Sequence, residues 1–290
     1  MDKRLKHINF LGNELDRKLY DYKKAKVAVI PCPYEKTVTY GRGCSYGPSS
    51  ILEASSYLEL FDDELLRNTY KIGVHTLPPL NVMNLSPDKM TEHVRKKVST
   101  IINTSKFPVI IGGEHSVSIG SVLAVSKKFK DLTVIHFDAH SDLRDSYMGS
   151  KFNHACVARR FYETSDVVQV GVRSFSEEEY LFAKKNNIRI FGPDSIIKKH
   201  NAARLIKEVK NKNVYLSIDM DVFDPSIMPG VGTPEPNGLN WRTITGLVKN
   251  ISSLSRVRGM DIVELVPVKN INFPSFLTAK LIYRILGYLF

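Results

Sequence analysis

Only three cysteines, Cys32, Cys44 and Cys156, stand among 290 residues, and no two have the Cys-x-x-Cys spacing of a zinc cluster or redox pair. An odd, widely spaced set excludes a disulfide framework and points to reduced thiols in the cytoplasm. No apolar run is long enough to cross a bilayer, and the opening stretch MDKRLKHINFLGNEL has charges but neither the apolar segment nor the small-residue cleavage site of a leader. Export and membrane insertion are therefore not expected. Pro/Ser-rich linkers, low-complexity tracts and internal repeats are also missing, so one domain over residues 1–290 is the expected organisation. Runs of five or more like charges do not occur. The formal +11 is scattered through helical stretches, as at Lys96, Lys97, Lys127, Lys128, Lys198 and Lys199, and does not gather into a nucleic-acid-binding patch.

What is present is an ordinary globular composition, 43% hydrophobic and 24% charged, which excludes disorder. Short β-branched runs alternate with longer segments of helical period, the pattern of a mostly parallel sheet covered by helices. Strands are expected over Lys26 to Ile30, Val109 to Ile111, Thr133 to Phe137, Val167 to Val172, Ile188 to Phe191, Val214 to Ile218 and Gly259 to Val263. Helices are expected over Asp88 to Thr104, Ser116 to Lys128, Ser176 to Asn186, Ala202 to Lys210, Trp241 to Ile251 and Leu277 to Tyr288, with Pro48 suited to the first turn of another.

Three polar clusters each follow one of these strands, where open parallel sheets form their sites. Asp138-Ala139-His140-Ser141-Asp142 follows TVIHF, and the two-residue strand period lets Asp138 and His140 point to one side. Asp219-Met220-Asp221 ends VYLSI, and Gly112-Gly113-Glu114-His115-Ser116 follows VII, its glycines permitting a sharp turn that leaves His115 at the rim. Carboxylates at a buried sheet end are costly unless a cation compensates them. Six candidate ligands, His115, Asp138, His140, Asp142, Asp219 and Asp221, are too many for one tetrahedral zinc and suit two ions that share bridging carboxylates. The oxygen-rich set, without thiolate, favours a hard ion such as Mn²⁺.

With these residues in hand, the motifs GGEHS (112–116), FDAHSD (137–142), SIDMDVFDP (217–225), GTPEPNG (232–238) and MDIVEL (260–265) resemble those of the ureohydrolases, the arginase and agmatinase family. The resemblance extends to PYEKTVTYGRGCSYGPSSILEAS and LTAKLIYRILG, and GTPEP with NHACVARR is closer to agmatinases than to arginases. It implies a three-layer αβα fold around an eight-stranded, mostly parallel sheet, two Mn²⁺ ions and a trimer or hexamer. By the same resemblance His115, Asp138, Asp142 and Asp219 hold one ion, and Asp138, His140, Asp219 and Asp221 the other. Asp142 also contacts the bridging hydroxide, Glu264 pairs with the substrate guanidinium, His154 shuttles protons and Thr233 lines the pocket. The implied reaction is hydrolysis of agmatine to putrescine and urea, a step of polyamine biosynthesis.

The chemistry is coherent without the family. A guanidinium carbon is a poor electrophile, so attack needs hydroxide at neutral pH, which two metal ions can supply. Glu264 can fix the planar cation by paired hydrogen bonds, and Asp142 or a nearby histidine can protonate the leaving amine.

Several features bear on the substrate tail. Arginases read an α-amino group through an aspartate after a strand ending in arginine, whereas Val172-Arg173-Ser174-Phe175-Ser176 has none. That favours agmatine or aminopropylagmatine over arginine. Arg144 opposes a cationic tail unless it pairs with Asp145, and it could instead bind the carboxylate of guanidinobutyrate. Asn237 replaces a usual glycine, and Lys269-Asn270 a usual aromatic and aspartate, in loops expected to shape the far pocket. Gly41-Arg42-Gly43-Cys44-Ser45-Tyr46-Gly47 mimics a dinucleotide loop, but its last gap is one residue too long. A one-zinc deacetylase is disfavoured by the presence of both His115 and Asp142. The alternative from another class is a basic nucleic-acid-binding protein that keeps the fold without turnover, which predicts a steep salt dependence.

Overall fold

The computed structural model describes residues 2, 4, 7–12 and 15–290, so the leader reading of the opening stretch rests partly on residues outside this set. Eight parallel strands form the main sheet: β1 (Val27–Cys32), β4 (Val74–Thr76), β5 (Phe107–Gly112), β6 (Leu132–Phe137), β7 (Asp166–Val170), β8 (Arg189–Phe191), β9 (Asn213–Asp219) and β10 (Arg256–Val263). Their order is β4-β1-β5-β10-β9-β6-β7-β8. A small antiparallel hairpin, β2 (Phe61–Asp62) with β3 (Arg67–Asn68), stands apart.

Alternation along the strands divides the core in two. Val27 and Val29 of β1 pack with the helices α1 (Gly47–Ser55), α7 (Lys199–Val209), α8 (Trp241–Leu254) and α9 (Phe273–Leu289). Ala28 and Ile30 face α2 (Pro87–Asn103), α3 (Val117–Lys128), α4 (Val157–Tyr162) and α5 (Glu177–Lys185). The result is the expected three-layer αβα architecture. No helix among the described residues is long and apolar enough to cross a membrane.

All seven strands expected from periodicity are present within three residues at each end, and Ser176 caps α5 through a reciprocal capping box with Glu179. Three residues of β4 were too short to show a period, and α4 and the short α6 (Pro193–Ile196) lay below the length at which a helical stripe is legible. Pro48 does sit in the first turn of α1. Cys32, Cys44 and Cys156 are free and buried, and burial pushes the Cys156 thiol up to about 11.

Candidate active site

Four adjacent central strands, β5-β10-β9-β6, deliver every expected ligand to one sheet edge. His115 follows β5, Glu264 follows β10, Asp219 and Asp221 close β9, and Asp138 to Asp142 follow β6. Gly112 and Gly113 serve this arrangement differently from the expected sharp turn: neither has a positive φ, and a Cβ on Gly113 would lie 2.1 Å from the Tyr34 carbonyl oxygen. That close approach seats β5 against the chain after β1 and leaves His115 buried, 1% exposed, not at the rim.

His115 Nδ1 lies 3.0 Å from Asp138 Oδ2, 3.3 Å from Asp219 Oδ2 and 3.6 Å from Asp142 Oδ2. His140 Nδ1 lies 2.8 Å from Asp221 Oδ2 and 3.6 Å from Asp138 Oδ1. The carboxylates are braced from behind. Asp138 Oδ1 accepts from His140 N (2.6 Å), Asp219 Oδ1 from Asp221 N (2.8 Å) and Asp221 Oδ1 from Ala139 N (3.0 Å).

One partner escaped sequence reasoning. His136, inside β6 and fully buried, brings Nε2 to 2.9 Å from Asp138 Oδ2 and stacks on His115 with ring centroids 5.1 Å apart. Gln169 Nε2 lies 3.1 Å from its Nδ1. The same two-residue period that pairs Asp138 with His140 also pairs His136 with Asp138, and that was the available signal.

The cluster fits divalent ions. His115 Nδ1, His136 Nε2 and Asp138 Oδ2 are buried and none has a hydrogen-bond partner, though the two imidazole nitrogens lie 3.0 and 2.9 Å from Asp138 Oδ2. Burial and the neighbouring Asp138 raise Asp142 well above the usual carboxylate range, and burial with Asp221 and Asp138 does the same to Asp219. Burial opposes charge on His140, but Asp221 and Asp138 outweigh it and push the imidazole up to about 12. Such a set is at ease only with added positive charge. Ligand atoms of His115, His136, Asp138 and Asp142 form one group within 4.8 Å, and those of Asp138, His140 and Asp221 a second.

A cavity of about 350 Å³ opens over this centre and is lined by His154, Thr233 and Glu264 as expected, with Arg144, Tyr147 and Phe175 at its walls. Glu264 Oε1 accepts from His115 N at 2.7 Å, and burial pushes its carboxyl up to about 8. His154 is tied through Thr37: its Nδ1 lies 3.2 Å from Thr37 Oγ1, which donates to buried Glu114 Oε1 at 2.8 Å. Burial holds the His154 imidazole below its ordinary value.

The tail region corrects three expectations. Arg144 does not pair with Asp145, which is taken by Arg160 at 2.8 Å; its Nε lies 3.8 Å from Glu179 Oε2 and its guanidinium 5.0 Å from the Tyr147 ring centroid. Asn237, Lys269 and Asn270 do not line the cavity. Asn237 holds φ 62°, a left-handed conformation that asparagine tolerates better than most residues, which accounts for its standing where glycine is usual. The glycine loop at 41–47 packs as close backbone: a Cβ on Gly41 would lie 2.6 Å from Gly232 O, and one on Gly47 2.5 Å from Leu265 O. Arg173 clamps the loops beyond β9, donating to the carbonyls of Asp221, Glu235 and Pro236 at 2.8 to 2.9 Å.

An arginase-family sequence profile matches residues 25–287. The chain belongs to the arginase family. It is 38% identical to an N(1)-aminopropylagmatine ureohydrolase of Synechocystis over 92% of this chain and 90% of the relative. It is 34% identical to an agmatinase of Pyrococcus horikoshii, over 92% of this chain and 93% of that one. The crystal structure of agmatine ureohydrolase of Thermoplasma volcanium superposes with a TM-score of 0.88 at 32% identity, over 98% of this chain and 94% of that one. Arginase-family membership makes this protein a ureohydrolase of small guanidines in a binuclear metal-dependent family, and the buried His/Asp cluster is where its metals belong.

Proposed function

We propose that this ureohydrolase, as one domain in the cytoplasm, uses two Mn²⁺ ions to hydrolyse the guanidinium of an agmatine-type amine to urea and the shortened amine. With agmatine the products are urea and putrescine, a polyamine precursor. The hard, oxygen-rich donor set without thiolate supports Mn²⁺. When bound, the ions supply the Lewis acidity that makes water a nucleophile at neutral pH. His115, Asp138, Asp142 and Asp219 would hold one ion, and Asp138, His140, Asp219 and Asp221 the other.

The chain's own groups do the rest. Glu264, fixed by the His115 amide, receives the guanidinium in an otherwise buried setting where its charge is compensated only by a cation. Asp142 orients the nucleophile and takes its proton, and that same proton passes to the leaving amine with His154, held by Thr37, as the relay. Thr233 shapes the same wall.

The observation that carries the amine tail is the outer wall. Ser174, Phe175 and Ser176 bring no carboxylate to read an α-amino group, the Glu179 carboxylate beside them is taken up by the Leu143 and Ser176 donors, and Arg144 is stacked on Tyr147 and faces Glu179. A carboxylate anchor is thereby occupied, which argues against guanidinobutyrate. The aminopropyl-extended amine is the second reading, favoured by the 38% identity to the Synechocystis relative and by the aromatic walls of Tyr147 and Phe175, suited to a long methylene tail. Measuring kcat/KM for agmatine and for N(1)-aminopropylagmatine side by side tests it; a clear preference for arginine would overturn the amine-tail reading.

A further inference from the structure

At the opposite end of the strands from the active site lies a second cavity, of about 560 Å³, lined by Lys26, Lys106, Lys128, Arg256 and Arg258 and by no aspartate or glutamate. It sits at the amino ends of the neighbouring strands β1, β5 and β10. Since β10 is eight residues long, about 25 Å separates this cavity from Glu264. The two sites cannot share a ligand.

Each cation is held, yet only by neutral groups. Lys106 Nζ donates to Ala25 O at 2.7 Å, Arg256 Nη2 to Asn211 O at 2.9 Å and Arg258 Nε to Asn213 Oδ1 at 2.9 Å. Lys128 Nζ donates to Ile102 O, and Lys26 Nζ lies 5.9 Å from the Phe290 ring centroid. The Arg258 guanidinium rests 4.6 Å from the centroid of Phe129. None of the five is in an ion pair among the described residues. Desolvation and the charge of Arg256 both lower Arg258, the mark of crowded cations without an anion between them.

A structural role explains part of this. The carboxyl ends of α2, α3, α8 and α9 converge on the cavity, and each carries about half a negative charge. Together they offset about two of five positive charges. About three charges stay uncompensated in a concavity whose size suits a small ligand.

We propose that this basic cavity is a binding site for a small phosphorylated polyanion, a diphosphate either free or carried by a nucleotide. Fixed arginines and lysines around a pocket recognise phosphate oxygens by charge-assisted hydrogen bonds, and the Phe107, Phe129 and Phe290 rings offer an apolar wall beside them.

Isothermal titration of the metal-loaded protein with pyrophosphate and with ADP, at about 150 mM salt, tests this. Saturable binding is expected, weakened at least about tenfold in the Arg256→Ala/Arg258→Ala double variant and unchanged in Asp142→Ala, while basal urea release of the double variant stays at the wild-type rate. Tighter binding of ADP assigns the site to nucleotides, and equal binding to the inorganic diphosphate; both support the proposal. The Lys26→Ala/Lys106→Ala variant, with melting temperatures for each protein, repeats the test independently. No binding, equal binding by wild type and both variants, or tighter binding of a single-stranded oligonucleotide than of either diphosphate would overturn it.

Discussion

Asp142 and Glu264, one following β6 and the other β10, face the same cavity and both hold left-handed backbone conformations, with φ of 52° and 64°. Neither residue type adopts that region without cost, and the cost is met where the two side chains converge on the buried centre.

The first prediction follows from that strain. Glu264→Gly and Glu264→Ala both remove the carboxylate, but only glycine relieves the backbone. The glycine variant is expected to be the more stable of the two by about 1 kcal/mol, the reverse of the usual order, and neither releases urea. Denaturant titration of both proteins checks it; an alanine variant as stable as the glycine variant contradicts it.

Ser217 gives the second. His115 Nε2 lies 2.9 Å from Ser217 Oγ, which donates to the fully buried Asp261 at 2.8 Å. This relay fixes the ring so that Nδ1 faces Asp138 and Asp219. Ser217→Ala is expected to weaken metal binding by about tenfold or more, read as metal retained after dialysis against graded chelator. Unchanged retention would mean that packing alone orients His115.

Metal removal should cost stability as well as activity. Asp138, Asp142, Asp219 and Asp221 are buried together, and only bound cations compensate them fully. Ions present at about a thousandfold their dissociation constant contribute about 4 kcal/mol, so stripping them is expected to lower the melting temperature by several degrees and readdition to restore it. A melting temperature indifferent to metal contradicts the site.

The sequence made most of this centre legible because its ligands sit at strand ends, where a two-residue period fixes which side chains share an edge. His136 was passed over because it lies within the apolar strand, where a histidine reads as core. The tail pocket was less legible: Glu179 reaches Arg144 from α5, thirty-five positions along the chain, and no local pattern announces such a pair. Strand β4 and the hairpin β2-β3 were missed for want of length, since two or three residues carry no period.

Arg144 supplies a prediction about the substrate tail. It faces Glu179 at 3.8 Å, is partly solvent-exposed and lines the cavity, so it is a like charge to a cationic tail, muted by Glu179 and by solvent. Arg144→Ala is expected to lower KM for the amine substrate, by no more than about fivefold, with kcat unchanged. A rise in KM would make Arg144 a binding group and reopen the guanidino acid.

The buried thiols predict an alkaline limit. Cys156 is pushed up to about 11 from an ordinary 9.0, so the unfolded chain loses this proton first. Its contribution to stability is complete below pH 9 and is lost as pH rises through 11. Native protein at pH 8 is expected to resist iodoacetamide at all three cysteines and to take up label at all three once denatured. Rapid labelling of the native protein contradicts it.

The most direct test is urea release by Mn²⁺-loaded protein from agmatine, N(1)-aminopropylagmatine, arginine and guanidinobutyrate, with Asp142→Ala as control. The prediction is turnover of one or both amine-tailed guanidines, little from arginine or guanidinobutyrate, and loss of about a hundredfold or more in the control. Urea release that survives Asp142→Ala, or none from any of the four substrates by protein carrying two ions, would contradict the assignment.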